Sequence, residues 1–522
     1  MQNIIMKYTF SRSMMVLFFS IVIMVISCSK DITERTENIP ALQPSSIDVD
    51  AGNWKPILLT GPTEFTVTAP IATTNPDYIA QVNEIKSWQA NISDAERQMV
   101  KYWSAGAVLR WNEIMRELVA KHNLPPYQNP DGTYPFPSAA NPLAYPQFPF
   151  ANPPYAARAY AYVSAAQYDA LVAAHYYKKL YNRKAPYLFD PTVNALVPKS
   201  DLPSYPSEDA AVIGSAVEVL KLLFPGDQDF INRKAEEHKR ARIISGANVR
   251  SDIEAGEALG RAVAQKYVTR ARGDRAGAAI GTPAQWAQME TDAIAKGEIP
   301  WYSLEIPRRP PMLPLFGRVK AFLFDSATAI SLRPGPPPST SSPKMMDETK
   351  EVYEYIKNPT RERIAIVHYW ADGVGTYTPP GHWDAIAAED FIKENYSEVR
   401  WARNMALLNM SLMDAAIVCW DVKYFYFNPR PTQLDPNIKT STGIPNFPSY
   451  ISGHSTFSGA AATILSHIVP SQAEKYQSQA KEASMSRIYG GLHYRSDCEI
   501  GLTVGGNVGA FAVSRAKTDG AE

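Results

Sequence analysis

Residues 154–178 read PYAARAYAYVSAAQYDALVAAHYYK. The stretch is rich in alanine and tyrosine and long enough for a helix buried inside a large domain. The helical pattern continues on both sides of it. Downstream it recurs at 207–224, 227–244, 251–271, 343–357, 361–371, 385–394, 397–426, 453–468, 471–485 and 496–515. Upstream, Ser93 with Glu96 three residues later forms a capping-box signature and opens a helix predicted to run to His122. Residues 124–155 hold ten prolines and cannot be a regular element, and 306–338 is a second proline-rich connection. Strand signals are few, and no internal repeat stands out. The expectation is all-α: a helical bundle domain of two packed helical halves with long proline-rich loops.

Composition narrows the function classes. The chain has 522 residues, 45% apolar and 20% charged, which is ample for a large core. Lys+Arg and Asp+Glu are both 52, so no basic excess points to a nucleic-acid partner. Proline, at 42 residues, is about 8% of the chain against a usual ~5%. Three cysteines exclude a disulfide scaffold and argue against a structural zinc site.

The N-terminus carries its own signal. Lys7 and Arg12 precede the apolar run Met14–Ser27, and Cys28 follows. A charged start, a short apolar stretch and a cysteine form a secretory signal of bacterial lipoprotein type. At about 15 uncharged residues the run is below the ~18 needed to span a bilayer. The expected organisation is a signal peptide over 1–27, lipidation at Cys28, a tether and extended segment over 28–82, and a helical domain over 83–522. The expected location is the bacterial cell envelope, at the periplasmic or surface face of the outer membrane. Membrane contact would be through the lipid anchor only.

The chemistry concentrates in residues 420–497. Trp420 and Lys423 are three apart near the end of a helix and share a face. Asn428-Pro429-Arg430-Pro431 breaks that helix and sets Arg430 on a rigid turn. Ser452-Gly453-His454 opens the small-residue helix STFSGAAATILSHI, where free N–H groups and the helix dipole favour an anion. Ser486-Arg487 adds a hydroxyl and a second guanidinium. His493 and Asp497 are at i and i+4, where a carboxylate can orient an imidazole. One Lys, two Arg, a Ser-Gly helix start and two His suit a tetrahedral oxyanion. His122, His175, His238 and His467 read as packing or surface residues without partners.

These residues carry a resemblance. Lys423-x6-Arg430-Pro431, Ser452-Gly453-His454 and Ser486-Arg487-x5-His493-x3-Asp497 resemble the three-part signature of the type 2 phosphatidic acid phosphatase and vanadium haloperoxidase superfamily. Ile451 stands where a proline usually precedes Ser-Gly-His. Trp420, Phe447 with the residues after it, and Tyr369-Trp370-Ala371-Asp372-Gly373 resemble the vanadium-dependent haloperoxidase branch. No apolar run after residue 28 approaches ~18 residues, unlike the integral-membrane branch.

The resemblance implies two reactions at one site. As a haloperoxidase, the enzyme would hold vanadate with His493 as the vanadium ligand. Lys423, Arg430, Ser452, Gly453 and Arg487 would surround the oxygens, His454 would handle protons, and hydrogen peroxide and halide would be the substrates. As an acid phosphatase it would need no cofactor. His493 would attack a phosphomonoester, forming a phosphohistidine, while Asp497 holds its tautomer and His454 protonates the leaving alcohol. Trp420 and Phe447 would line the pocket, with Asp372 the partner of Arg487. A non-catalytic, oxyanion-binding surface lipoprotein is the third reading.

Overall fold

Two helices of equal length cross at the centre of the molecule. The computed structural model describes residues 39–124, 130, 152–304 and 308–522. The stretch read as a signal peptide, Cys28 and most of the first proline-rich connection lie outside them. Ala41–Glu522 forms one unit, all-α with no strand among the described residues.

The longer helices are α1 (Pro76–Ala90), α2 (Asp94–Trp103), α3 (Ala107–His122), α4 (Pro153–Tyr181), α5 (Glu208–Leu223), α6 (Gln228–Ile244), α7 (Arg250–Gly273) and α8 (Pro283–Ala295). They continue as α9 (Pro343–Lys357), α10 (Arg361–Tyr369), α11 (Thr378–Phe391), α12 (Glu398–Tyr426), α13 (Gly453–Ile468), α14 (Ala473–Tyr489) and α15 (Arg495–Ala516). α1 begins inside the stretch read as extended, and α8 was not anticipated. The predicted helix over 93–122 is two. The capping box of Ser93 and Glu96 forms as expected, but the backbone turns at Gly106, whose φ of 123° is open to glycine and closed to other residues.

α4 and α12 are each 29 residues long and buried along nearly their whole length. Side-chain oxygens of Asn152 and Ser397 cap their N-termini, and left-handed Asn182 and Phe427 end them. α12 is apolar and long enough to cross a membrane, yet 94% of that stretch lies inside the protein, as a core helix does.

The structure reveals the repeat that the sequence reading lacks. α4, α5, α6 and α7 recur as α12, α13, α14 and α15 at a constant offset of 245 positions, Glu398 answering Pro153, Gly453 answering Glu208 and Arg495 answering Arg250. Hydrogen bonds recur with them. Arg158 Nε donates to Asp274 at 2.7 Å, and Arg403 Nε to Asp519 at 2.7 Å. Lys320 N–H donates to the Asp274 carbonyl, and Lys55 N–H to that of Asp519. Buried Asp169 holds the N–H groups of Ile57, Leu58 and Leu59; its counterpart Asp414 holds those of Phe322 and Leu323. At the crossing, Asn409 Nδ2 donates to the Oγ of its own counterpart Ser164 at 3.2 Å. A residue that meets its own counterpart, together with the reciprocal pairs above, marks an approximate two-fold relation between the halves at this point.

Glycines let the paired helices of each half close on one another. A Cβ on Gly260 of α7 would collide with the Ala211 carbonyl oxygen of α5, and one on Gly505 of α15 with the Thr456 carbonyl oxygen of α13. Gly260→Ala is expected to cost about 1–3 kcal/mol through overpacking. A denaturation midpoint equal to wild type would show that these helices have room to part.

Candidate active site

The end of α12, the starts of α13 and α15 and the end of α14 meet in the C-terminal half. They bring together Lys423, Arg430, Ser452, Gly453, Arg487, His493 and Asp497, all buried, with Trp420 and Phe447 against them. The rings of Trp420 and Phe447 lie 5.0 Å apart, and the Lys423 ammonium is 5.0 Å from the Phe447 ring centre.

His493 is held from both sides. Its Nδ1 is 2.9 Å from Asp497 Oδ2, and its Nε2 is 3.0 Å from Arg430 Nη1. A guanidinium only donates, so Nε2 carries the lone pair and Nδ1 the proton. Asp497 Oδ2 also accepts from Ser449 Oγ at 2.5 Å and from the Tyr494 N–H at 3.3 Å. Burial, then the charges of Arg430 and Lys423, push the His493 pKa well below the ordinary histidine value, so the ring is neutral. Burial pushes Asp497 up to about 6, against Ser449, Lys423 and Arg430, which favour the carboxylate.

Arg430 is aimed by carbonyls. Its Nε and Nη2 donate to Phe447 O at 3.0 and 2.9 Å, and Nη1 to Leu492 O at 2.9 Å. Lys423 departs from its expected place as a direct oxyanion ligand. All three of its donors go to carbonyls, those of Pro448 and Ser449 at 2.9 Å and Ile451 at 2.5 Å. It therefore fixes the loop before α13 and lends charge at short range. Burial pushes its pKa down to about 7, against the charge of Asp497, which favours the ammonium. Ser452 caps α13, its Oγ accepting from the Ser455 N–H at 3.3 Å. Gly453 follows at the first helical position, where an N–H has no intrahelical acceptor. A Cβ there would meet nothing closer than Trp420 Cζ3 at 3.8 Å, so the backbone is open on that side.

Asp372 also differs from expectation. Arg487 donates through Nε to Ser486 Oγ at 2.9 Å and through Nη2 to Val367 O at 3.4 Å, and makes no ion pair with Asp372 within 4.0 Å. Asp372 Oδ1 instead meets His382 Nδ1 at 3.0 Å, and Oδ2 stands 3.7 Å from His454 Nε2. The reason is local. The carboxylate hangs from a turn residue with φ 46° and reaches the imidazoles, acting on Arg487 only through its charge. Asp372 Oδ2 and His454 Nε2 are buried and have no hydrogen-bond partner. His454 keeps 17% side-chain exposure, the most open group of the set. Burial and the Arg487 charge push its pKa well below the ordinary value. Asp372→Asn is expected to lower the midpoint of His454 titration further, because a facing carboxylate favours the imidazolium. Imidazole NMR reads this, and an unmoved midpoint would show that the carboxylate does not reach the ring.

The histidines set aside in the sequence have partners after all. His238 bonds Asp209 and Trp111, His122 bonds Asp227, His467 bonds Glu522, and His175 Nδ1 lies 2.9 Å from Leu171 O. Cys419 and Cys498 are free and buried. Ser449, the third group on Asp497, enters the sequence reading only within the stretch that follows Phe447, without a role of its own.

Lys423, Arg430 and Arg487 form no ion pair among the described residues. Burial pushes both guanidiniums down to about 10. Buried cations with no carboxylate in ion-pair contact, a helix N-terminus and a lone pair on a neutral imidazole form a cradle for an anion. The donor set fits vanadate as it fits phosphate: cations and N–H groups for the oxygens, and one nitrogen for the central atom.

Comparisons with known proteins agree with the resemblance drawn from the motifs. Residues 404–520 match the family model of the PAP2 superfamily. A solved structure described as the first bacterial vanadium-dependent iodoperoxidase is 26% identical, with a TM-score of 0.54, covering 70% of this chain and 91% of that one. Apo- and holo-type structures of a bacterial vanadium-dependent chloroperoxidase are 14% and 13% identical, with TM-scores of 0.48 and 0.49. They cover 70% and 73% of this chain, and 93% and 96% of their own. No curated protein matches at the level of sequence.

Proposed function

We propose that the protein is a vanadium-dependent haloperoxidase that oxidises halide with hydrogen peroxide. The observation that carries the reading is the set of buried cations without carboxylate partners around a neutral His493 whose Nε2 lone pair faces them. When bound, vanadate supplies the Lewis acidity that activates hydrogen peroxide. His493 provides the nitrogen ligand, and Asp497 holds its Nδ1 proton so that Nε2 stays unprotonated. Arg430, Arg487 and the Gly453 N–H would hold the vanadate oxygens, and Lys423 would add positive charge through the loop it fixes. His454, facing Asp372, takes and returns protons at Nε2. Trp420 and Phe447 exclude water from one wall. Iodide is the first halide to test, since the solved relative above 25% identity is described as an iodoperoxidase.

A second reading rests on His454, whose Nε2 has no hydrogen-bond partner and whose side chain keeps 17% exposure, as suits an acid that protonates a leaving alcohol. The same protein would then hydrolyse phosphomonoesters through a phosphohistidine at His493. Purified protein should be assayed for iodide, bromide and chloride oxidation with orthovanadate and hydrogen peroxide, and for nitrophenyl phosphate hydrolysis without vanadate. Halide oxidation that depends on vanadate supports the first reading. Hydrolysis alone replaces it with the second, and inactivity in both overturns the enzyme.

We also infer a lipid anchor at Cys28 in the bacterial envelope, from Lys7, Arg12 and the apolar run. Cys28→Ser should release the protein from the membrane fraction or leave it unprocessed. Unchanged retention at unchanged size would refute the anchor.

A further inference from the structure

The two-fold relation carries every residue of the site onto a counterpart in the N-terminal half. Lys178 answers Lys423, Arg242 answers Arg487, Ser207 answers Ser452, and Asp252 answers Asp497, each at the same offset of 245. The local construction is kept. Lys178 Nζ donates to Pro203 O as Lys423 does to Pro448 O. The Ser207 N–H donates to the Asp252 carbonyl at 2.9 Å as Ser452 does to Asp497 at 3.0 Å, and Ser207 Oγ caps α5 as Ser452 caps α13. Asp252 Oδ2 accepts from the Val249 N–H as Asp497 does from Tyr494.

What differs is the positions that face the oxyanion. Glu208 stands where the other half has Gly453, Asp209 where it has His454, Asn248 where it has His493, and Ala185 where it has Arg430. The two acids reach the two retained cations. Glu208 Oε2 is 2.5 Å from Lys178 Nζ, and Asp209 Oδ2 is 3.0 Å from Arg242 Nε. A cavity of about 100 Å³ remains beside them, bordered by Ala185, Glu208, Asp209, Arg242, Asn248 and a third carboxylate, the buried Glu398.

We propose that the N-terminal half holds a second oxyanion cradle of the same construction, kept shut by its own Glu208 and Asp209 carboxylates. They occupy the role that a tetrahedral oxyanion fills in the C-terminal half. The proposal takes from the preceding reading that the C-terminal cradle binds such an anion. Removing both acids leaves Lys178, Arg242 and Arg183 facing only Asp252, which pairs with Arg183, and the buried Glu398, an excess of one positive charge at a helix N-terminus beside an existing cavity. An anion such as phosphate or orthovanadate then supplies the missing charge.

The test is the Glu208→Gly/Asp209→Ser chain, made in wild type and in an Arg487→Ala background that disables the C-terminal cradle. Inorganic phosphate and orthovanadate binding is measured by equilibrium dialysis. Each opened protein is expected to bind one oxyanion more than its parent. If wild type binds none but the opened protein binds one, the C-terminal reading fails and this proposal stands. If opening adds no binding site in either background, the proposal is overturned. Should the opened chain fold poorly, its refolding yield in sodium phosphate is compared with that in sodium chloride of equal ionic strength. A yield at least twice as high in phosphate is expected, and equal yields overturn the proposal.

Discussion

His493→Ala is expected to abolish vanadate-dependent halide oxidation and phosphoester hydrolysis alike, with activity falling by about three orders of magnitude or more. Both reactions need a nitrogen at the central atom, and His493 Nε2 is the one held against Arg430. The fold should survive the change. Arg430 keeps Leu492 O and Phe447 O, and Asp497 keeps Ser449 and the Tyr494 N–H. A near-native circular dichroism spectrum together with lost turnover and weakened orthovanadate binding is the expected result. Full activity in the variant would remove the site assignment.

Asp497→Asn should follow closely, with turnover reduced by about 10²–10⁴-fold through the wrong histidine tautomer. The carboxylate accepts the Nδ1 proton; an amide can present its NH2 there instead, which moves the proton to Nε2 and removes the lone pair. Nitrogen NMR of His493 should show the exchanged protonation. Activity within tenfold of wild type would mean that Ser449 and Arg430 suffice to orient the ring. Loss of activity with an unchanged tautomer would place the effect elsewhere, in the charge that Asp497 sets against Lys423 and Arg430.

Much of this site is legible in sequence because its residues sit at backbone landmarks: a helix cap at Ser452, a proline-flanked turn at Arg430, the i, i+4 spacing of His493 and Asp497. Lys423 is misread because its direct partners are carbonyls, which leave no mark in side-chain chemistry. Asp372 is misread because its carboxylate meets His382 and faces His454, contacts that spacing along the chain does not reveal. The repeat escapes for another reason. Core positions need apolar volume more than identity, so Ala173 can answer Val418 and Leu202 can answer Phe447. Residues that set the backbone do persist: Asp190-Pro191 with Asp435-Pro436, Pro203-Ser204-Tyr205 with Pro448-Ser449-Tyr450, and Arg250-Ser251-Asp252 with Arg495-Ser496-Asp497. Pro206 even supplies, in the first copy, the proline that Ile451 replaces in the second.

The crossing of α4 and α12 also sets a clock on biosynthesis. Each helix is the wall against which the other is buried, and their contact at Ser164 and Asn409 spans 245 residues of chain. At about 5–20 residues per second, α4 leaves the ribosome on the order of 10–50 s before α12. For that interval an alanine- and tyrosine-rich surface has no native partner. Until the second half arrives, the face of α4 that meets α12 can be covered only by non-native contacts.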